Sequence, residues 1–230
     1  MEPPILEGLE ERLDPAHTAL LIIDMQKDFC VEGFAASTAG RPLAPARSII
    51  PRLRALLHAA RETGVLVGHV GFWTLPDHLS DSGPWLAQRR RSTYASDTIA
   101  VAGSEGAEFI DELAPADDEI KVLKHRYSAF KGTNLDIILR AHDIRTVVPT
   151  GISTNVCVES TLRDAFEHTY YVCVPEDACA SWDMELHAAT LKTADARFGL
   201  ITKVDEVTAI WRNKAGRTRT GRAASEESIT

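Results

Sequence analysis

Six short apolar runs recur along the chain: TALLIID (18–24), VLVGHV (65–70), EIKVLK (119–124), TVVPTG (146–151), YYVCVPED (170–177) and GLITKV (199–204). Most are continuous rather than alternating, as expected of strands buried on both faces of a parallel sheet. Between them, apolar positions recur at helical spacing over 46–61, 133–142, 156–168 and 184–198. Alternating strands and helices without an internal repeat predict a three-layer α/β/α sandwich around a six-stranded, mainly parallel sheet. Pro149 interrupts this pattern, because proline removes a ladder donor from a central strand. Either the strand pairs on one side only at that point or it ends early.

Two segments depart from the alternation. Phe72 to Gly103 is too long and irregular for a simple connection, and connections of that length in compact domains are usually functional. It reads as a lid or a subunit contact. The stretch after Trp211, RNKAGRTRTGRAASEESIT, has the composition of a disordered extension. One domain over 1–230 is expected, with its core at about 18–207 and an extension at 212–230.

Composition narrows the function. With 230 residues, 44% of them hydrophobic, the chain can bury one large core. A net charge of −8 argues against a nucleic-acid partner, since phosphate binding relies on clustered cations. The basic run Arg89, Arg90, Arg91 reads as a solvated face. No segment has the apolar length of a membrane span, and the start lacks the order of a signal peptide, so a cytoplasmic protein is expected. Cys30, Cys157, Cys173 and Cys179 show neither CxxC pairing nor zinc-finger spacing, so free thiols and no metal are expected.

Ligands of open parallel sheets bind beyond the carboxyl ends of the strands. The run 19–23 ends in Asp24, the run 120–123 ends in Lys124, and the run 147–150 leads into the turn before Cys157. Each alone has an innocent reading, as a turn cap, a surface charge or a core thiol; the three at one sheet edge are harder to dismiss. The helix after the turn carries an apolar stripe through Val158, Leu162, Ala165 and Phe166. Cys157 lies off that stripe, with Thr161, Asp164 and His168. A thiol in a first helical turn feels the positive end of the macrodipole, which favours thiolate.

IIDMQKDF around Asp24, KHRYSAF from Lys124 and TGISTNVCVESTLRDA around Cys157 resemble the three signature blocks of the isochorismatase-like cysteine hydrolases. The resemblance runs from about Thr18 to Val207 and is closest to ureidoacrylate amidohydrolases and biuret hydrolases. It implies a Rossmann-like sandwich, a catalytic Asp24, Lys124 and Cys157, and no cofactor. It also implies a cis peptide between Ile152 and Ser153 that turns the Ser153 N–H toward the same point as that of Cys157, forming an oxyanion hole. The substrate expected is a small amide or ureido compound, and a homo-oligomer, dimer or tetramer, is expected. Phe29, Trp73, Tyr127 and Asn155 follow strand ends or flank the thiol and are nominated as substrate contacts; His187 reads as a satisfied helix residue. Nicotinamidases of the same superfamily carry a metal-binding Asp-x-His motif, whereas here Asp77 and His78 are adjacent. Another amidase of this fold, or a silent scaffold, stays open as an alternative.

Overall fold

Every predicted apolar run forms a strand. In the computed structural model, which describes residues 4–227 apart from Thr93 and Ala95, with side chains to Gly216, the strands are β1 (Thr18–Ile23), β2 (Leu66–Phe72), β3 (Ile120–Lys124), β4 (Thr146–Ile152), β5 (Tyr171–Pro175), β6 (Cys179–Ala180) and β7 (Leu200–Thr202). All pairings are parallel, in the order β3-β2-β1-β4-β5-β7, with β6 beside the end of β4. The sheet therefore has seven strands rather than six. β6 is two residues long, too short to leave a periodic signature.

Helices cover both faces. The main ones are α1 (Ile50–Thr63), α2 (Gly83–Arg90), α3 (Leu135–Ala141), α4 (Glu159–Glu167), α5 (Met184–Arg197) and α6 (Val204–Glu227). Alternation along β1 sends Leu20 and Ile22 to one core, with Leu53 and Leu56 of α1 and Val207 and Trp211 of α6. Ala19, Leu21 and Ile23 face the other core, with Leu139 of α3, Leu162 of α4 and Leu191 of α5. The result is the expected three-layer sandwich. Phe166 departs from its predicted stripe: it is 45% exposed and packs edge-on against Phe198.

The extension after Trp211 is not irregular but continues α6 to Glu227. Its Ala, Arg, Lys and Glu residues are good helix formers, and Trp211, fully buried, anchors the helix to the core. Lys214 Nζ ties the same helix to Asp14 Oδ2 at 2.8 Å. Among the described residues, no helix is long and apolar enough to cross a membrane.

Pro149 is accommodated by a gap in the ladder. β4 pairs with β1 along its length, but with β5 only at Thr146 and Val147 and with β6 only at Gly151 and Ile152. The Pro149 carbonyl faces Cys179 Sγ on that interrupted side. In a parallel strand the N–H of a residue points the same way as its carbonyl, so the missing donor falls where no neighbour needs it.

A buried polar cluster fastens β2 to the start of β3. His69 of β2 has no exposed surface, and its Nε2 lies 3.0 Å from Glu119 Oε2. Arg61 donates to both Glu119 oxygens at 2.8 and 2.9 Å, and the Ala116 N–H adds a third donor. Burial opposes the charge on Glu119, but these donors outweigh it and hold its pKa down to about 2.

Candidate active site

The sheet order brings together residues distant in sequence. β1 lies between β2 and β4, with Ile23 opposite Gly151, and Lys124 pairs with Phe72 at the end of β2. Asp24 leaves β1 in the left-handed region at φ 56°, a conformation that Asp tolerates better than most residues. Gly151 is required where it stands. Its φ is +102°, and a Cβ there would sit 2.2 Å from the Ile23 carbonyl oxygen. Gln26 closes the edge: its amide donates to the Phe72 and Ala107 carbonyls and accepts from the Phe72 N–H.

After β4 comes a cis peptide between Ile152 and Ser153, then a π-helical turn over Thr154–Val158 that leads into α4. Cys157 sits in that turn. Thr161, one turn on, donates from Oγ1 to the Cys157 carbonyl at 2.7 Å and accepts from the Ala129 N–H at 3.0 Å. The segment following Lys124 is thereby tied to the helix that carries the thiol.

Lys124, Asp24 and Cys157 converge. Lys124 Nζ donates to Asp24 Oδ2 at 3.0 Å and to Cys157 Sγ at 3.3 Å, and it lies 4.9 Å from the centre of the Phe72 ring. Lys124 is fully buried, Asp24 is 3% exposed and Cys157 is 7% exposed. Asp24 Oδ1 is buried without a well-formed hydrogen bond, although the thiol is near enough to lower the carboxyl pKa.

Burial nonetheless raises Asp24 above the ordinary carboxylate value, against the pull of Lys124. Burial, and then the Asp24 charge, push the Cys157 thiol well above its usual value, against a smaller lowering by Lys124. Burial works against the charge on Lys124, but Asp24 and Cys157 beside it hold its pKa above the usual lysine value. The three groups titrate as one coupled set, in which burial opposes every charge and the Lys124 ammonium favours the anionic form of both the carboxyl and the thiol. Cys157 packs among apolar residues of the second core, and burial there opposes the thiolate that a first helical turn favours.

A cavity of about 410 Å³ opens onto Asp24 and Cys157, with Ile152, Ser153 and Val156 beside them. Phe29 and Tyr127 line it as nominated, and Tyr127 packs on Trp85 at 4.5 Å between ring centres. Trp73 does not line it. Strand alternation sends Phe72 to the site and Trp73 to the opposite side, into a cleft with Phe109 and Leu123. Asn155 is also absent from the wall, because its Oδ1 turns to accept from the Ser181 hydroxyl just after β6. His187 is satisfied, with Nδ1 2.8 Å from Thr154 Oγ1.

The residues that were missed come mainly from the long connection after β2. Trp85, Arg89, Arg91 and Tyr94 line the cavity, with Arg41 and Trp182 from two other connections. The connection folds around α2 and is pinned at its base by Thr74 hydrogen bonds to Ala100 and Ala102. Asp28 holds it from within, accepting from the Ala35 N–H at 3.0 Å and the Ala100 N–H at 2.6 Å. Arg89 and Arg91 of the basic run are thus cavity wall, while Arg90 faces away from it; the one available signal was the position of the run inside an overlong connection.

The isochorismatase domain model matches residues 18–206. The ureidoacrylate amidohydrolase RutB of Agrobacterium fabrum is 34% identical over 204 residues, covering 84% of this chain and 90% of that protein. A crystal structure of a cysteine hydrolase from Pseudomonas syringae pv. phaseolicola 1448A superposes with a TM-score of 0.79 at 28% identity, over 93% of this chain and all of that one. The N-carbamoylsarcosine amidase of Thermoplasma acidophilum gives 0.65 at 29% identity, over 82% of this chain and 97% of its own. With the domain matched almost from β1 to α6 and a buried cysteine at the sheet edge, the chain belongs to the isochorismatase-like cysteine hydrolase family.

Proposed function

We propose that the protein is a cysteine amidohydrolase that cleaves a C–N bond of a small amide or ureido compound through a thioester. The observation that carries this reading is the single buried ammonium of Lys124 within hydrogen-bond reach of both the Asp24 carboxylate and the Cys157 sulfur, at the foot of a cavity of substrate size. Cys157 attacks the carbonyl carbon as its proton passes to Asp24, so no free thiolate need accumulate in an apolar site. The C–N bond then breaks, and Asp24 hands that proton to the departing nitrogen. In the second half Asp24 takes a proton from water, which attacks the thioester and returns the thiol. Lys124 touches no ligand; its charge steadies the anion as it moves between oxygen and sulfur. The backbone N–H groups of Ser153 and Cys157 are the donors assigned to the oxyanion, a contribution worth about 100-fold or more in rate.

The names of the relatives support nitrogen-linked carbonyl substrates: an amidohydrolase of ureidoacrylate and an amidase of N-carbamoylsarcosine. An ammonia-release screen across ureido compounds and primary amides, with Cys157→Ala as the blank, tests the reading. Turnover of at least one compound that disappears in the variant is expected. No turnover of any of them by the native protein overturns it.

A further inference from the structure

Two cations of the cavity wall, Arg41 and the exposed Arg91, have no carboxylate partner among the described residues, and of the two Arg41 is the one stacked on an aromatic ring. Arg41 follows a helical turn (Ala35–Thr38) closed by Gly40 at φ +80°, and its own N–H returns to the Ala36 carbonyl at 2.9 Å. Its side chain then runs to the cavity, where the guanidinium carbon lies 3.9 Å from the centre of the Trp182 ring and 6.0 Å from that of Tyr94. Trp182 is itself fixed, because its indole N–H donates to the Pro42 carbonyl at 2.6 Å. The platform and the arginine are therefore held by adjacent backbone.

Of the other cations around the site, Lys124 has Asp24, Arg89 has Asp81 at 3.0 Å and Arg90 has Asp97, while Arg91 is exposed and donates to Gln88 Oε1 at 3.2 Å. Arg41 Nε is buried without a hydrogen-bond partner, and the ionisable groups acting on it are Tyr94 and Cys157, not a carboxylate. Among the described residues it forms no ion pair. An arginine that stacks one face on an indole presents its donor edge, the geometry that matches a planar two-oxygen anion. Asp24 and Arg41 line the same cavity, but Asp24 is neutralised from behind, so the wall carries a net positive charge.

We infer that Arg41 is the carboxylate-recognising residue of this cavity, and that the substrate is a small amide or ureido compound bearing a carboxylate away from the scissile carbonyl. The assignment of substrate rests on the hydrolase reading above; the recognition of a carboxylate by Arg41 does not. The carboxylate completes the donor set of Arg41, and the distance between the guanidinium and Cys157 sets which carbonyl meets the sulfur. A neutral amide of the same length leaves the guanidinium unpaired, which selects against it.

Cys157 alkylation by iodoacetamide, read by mass spectrometry on the intact protein and its peptides, tests this without any turnover. Butyrate and the uncharged 2-pentanone, similar in size, are the protectants. In the native protein, half-protection by butyrate should need a concentration at least tenfold below that of the ketone. Arg41→Met should reduce that preference to less than threefold, Arg41→Lys should leave an intermediate value, and Arg90→Met, on a residue outside the cavity, should keep it. Circular dichroism establishes that each variant is folded; should Arg41→Met not fold, Arg41→Lys and Arg41→Gln carry the comparison. Equal protection in the native protein, or a preference that survives loss of Arg41, overturns the inference. In parallel, ureido acids and their neutral methyl esters are compared as substrates, with the acid favoured at least tenfold in kcat/KM and the ratio collapsing with Arg41→Met. A charge preference in protection without any hydrolysis removes the functional reading alone, while hydrolysis that ignores charge removes the role of Arg41 alone.

Discussion

Removing either partner of the buried ion pair should destabilise the protein far more than removing both. Lys124 Nζ and Asp24 Oδ2 are 3.0 Å apart with both side chains almost fully enclosed. At an effective dielectric of about 20, their gross attraction is about 5 kcal/mol, and most of it offsets the cost of taking two charges out of water. Asp24→Asn leaves Lys124 as an unbalanced buried ammonium, and Lys124→Met leaves Asp24 as an unbalanced carboxylate. Each should cost about 3 kcal/mol, or roughly 6–12 °C in Tm for a chain of this length. Asn accepts the left-handed backbone of Asp24, so the conformational cost there is small. The double variant carries no buried charge and should lie within about 1 kcal/mol of the native protein. The assay is urea unfolding at pH 7 followed by far-UV circular dichroism for all four proteins, analysed as a cycle. The sign with pH follows from the direction of the shift. In Lys124→Met, Asp24 is raised still further above its unfolded value, so folding takes up a proton and stability falls as pH rises above the ordinary carboxylate range. The deficit should accordingly be larger at pH 8 than at pH 5. If the two single changes add to within about 0.5 kcal/mol in the double variant, the pair is not coupled and the charge assignment of the site fails.

Further outcomes follow from geometry. Cys157→Ala should fold and lose hydrolysis; because the thiol packs in the second core, a loss of about 1 kcal/mol accompanies it, read by the same unfolding assay. Lys124→Met should shift the alkylation of Cys157 to higher pH, since the cation is the group that lowers the thiol pKa; an unchanged profile would falsify its contact with the sulfur. Glu119→Gln should cost about 2 kcal/mol at pH 7, a figure discounted for nearby solvent. Because the Glu119 pKa is depressed to about 2, that difference should persist above the ordinary glutamate value and vanish as pH falls toward 2, which thermal melts at several pH values would show. Gly151→Ala should yield little folded protein, as its Cβ meets the Ile23 carbonyl at 2.2 Å, whereas Gly83→Ala, with open space around it, should melt within a few degrees of the native protein.

Strand positions could be read from sequence because burial on both faces leaves continuous apolar runs, and the rule that strand ends carry the chemistry then singled out Asp24, Lys124 and Cys157. That rule is blind to depth. It placed Cys157 off the core stripe of its helix, yet the π-helical turn rotates the first residues of the helix relative to the α4 face and encloses the sulfur. It also took Trp73 for Trp85, since both aromatics belong to one connection and only strand alternation and the fold of α2 decide which faces inward. Arg41 carried no local signal at all: its partner Trp182 is more than a hundred residues away and reaches it only because β6 draws the chain back beside β4.

Lys124 stands behind Asp24 and Cys157, where no ligand can reach it, while the cavity wall is drawn from connections around Arg41, Trp85, Tyr94 and Trp182. Reactivity and selectivity are thus written on different stretches of backbone. A graft that exchanged the stretch between Thr74 and Ala100 for one of another length would alter what is admitted without touching the acid–base group or the nucleophile, provided Asp28 kept its hold on the Ala100 N–H. For a designer, the molecule offers a fixed engine with an interchangeable doorway, and that one carboxylate is its hinge pin.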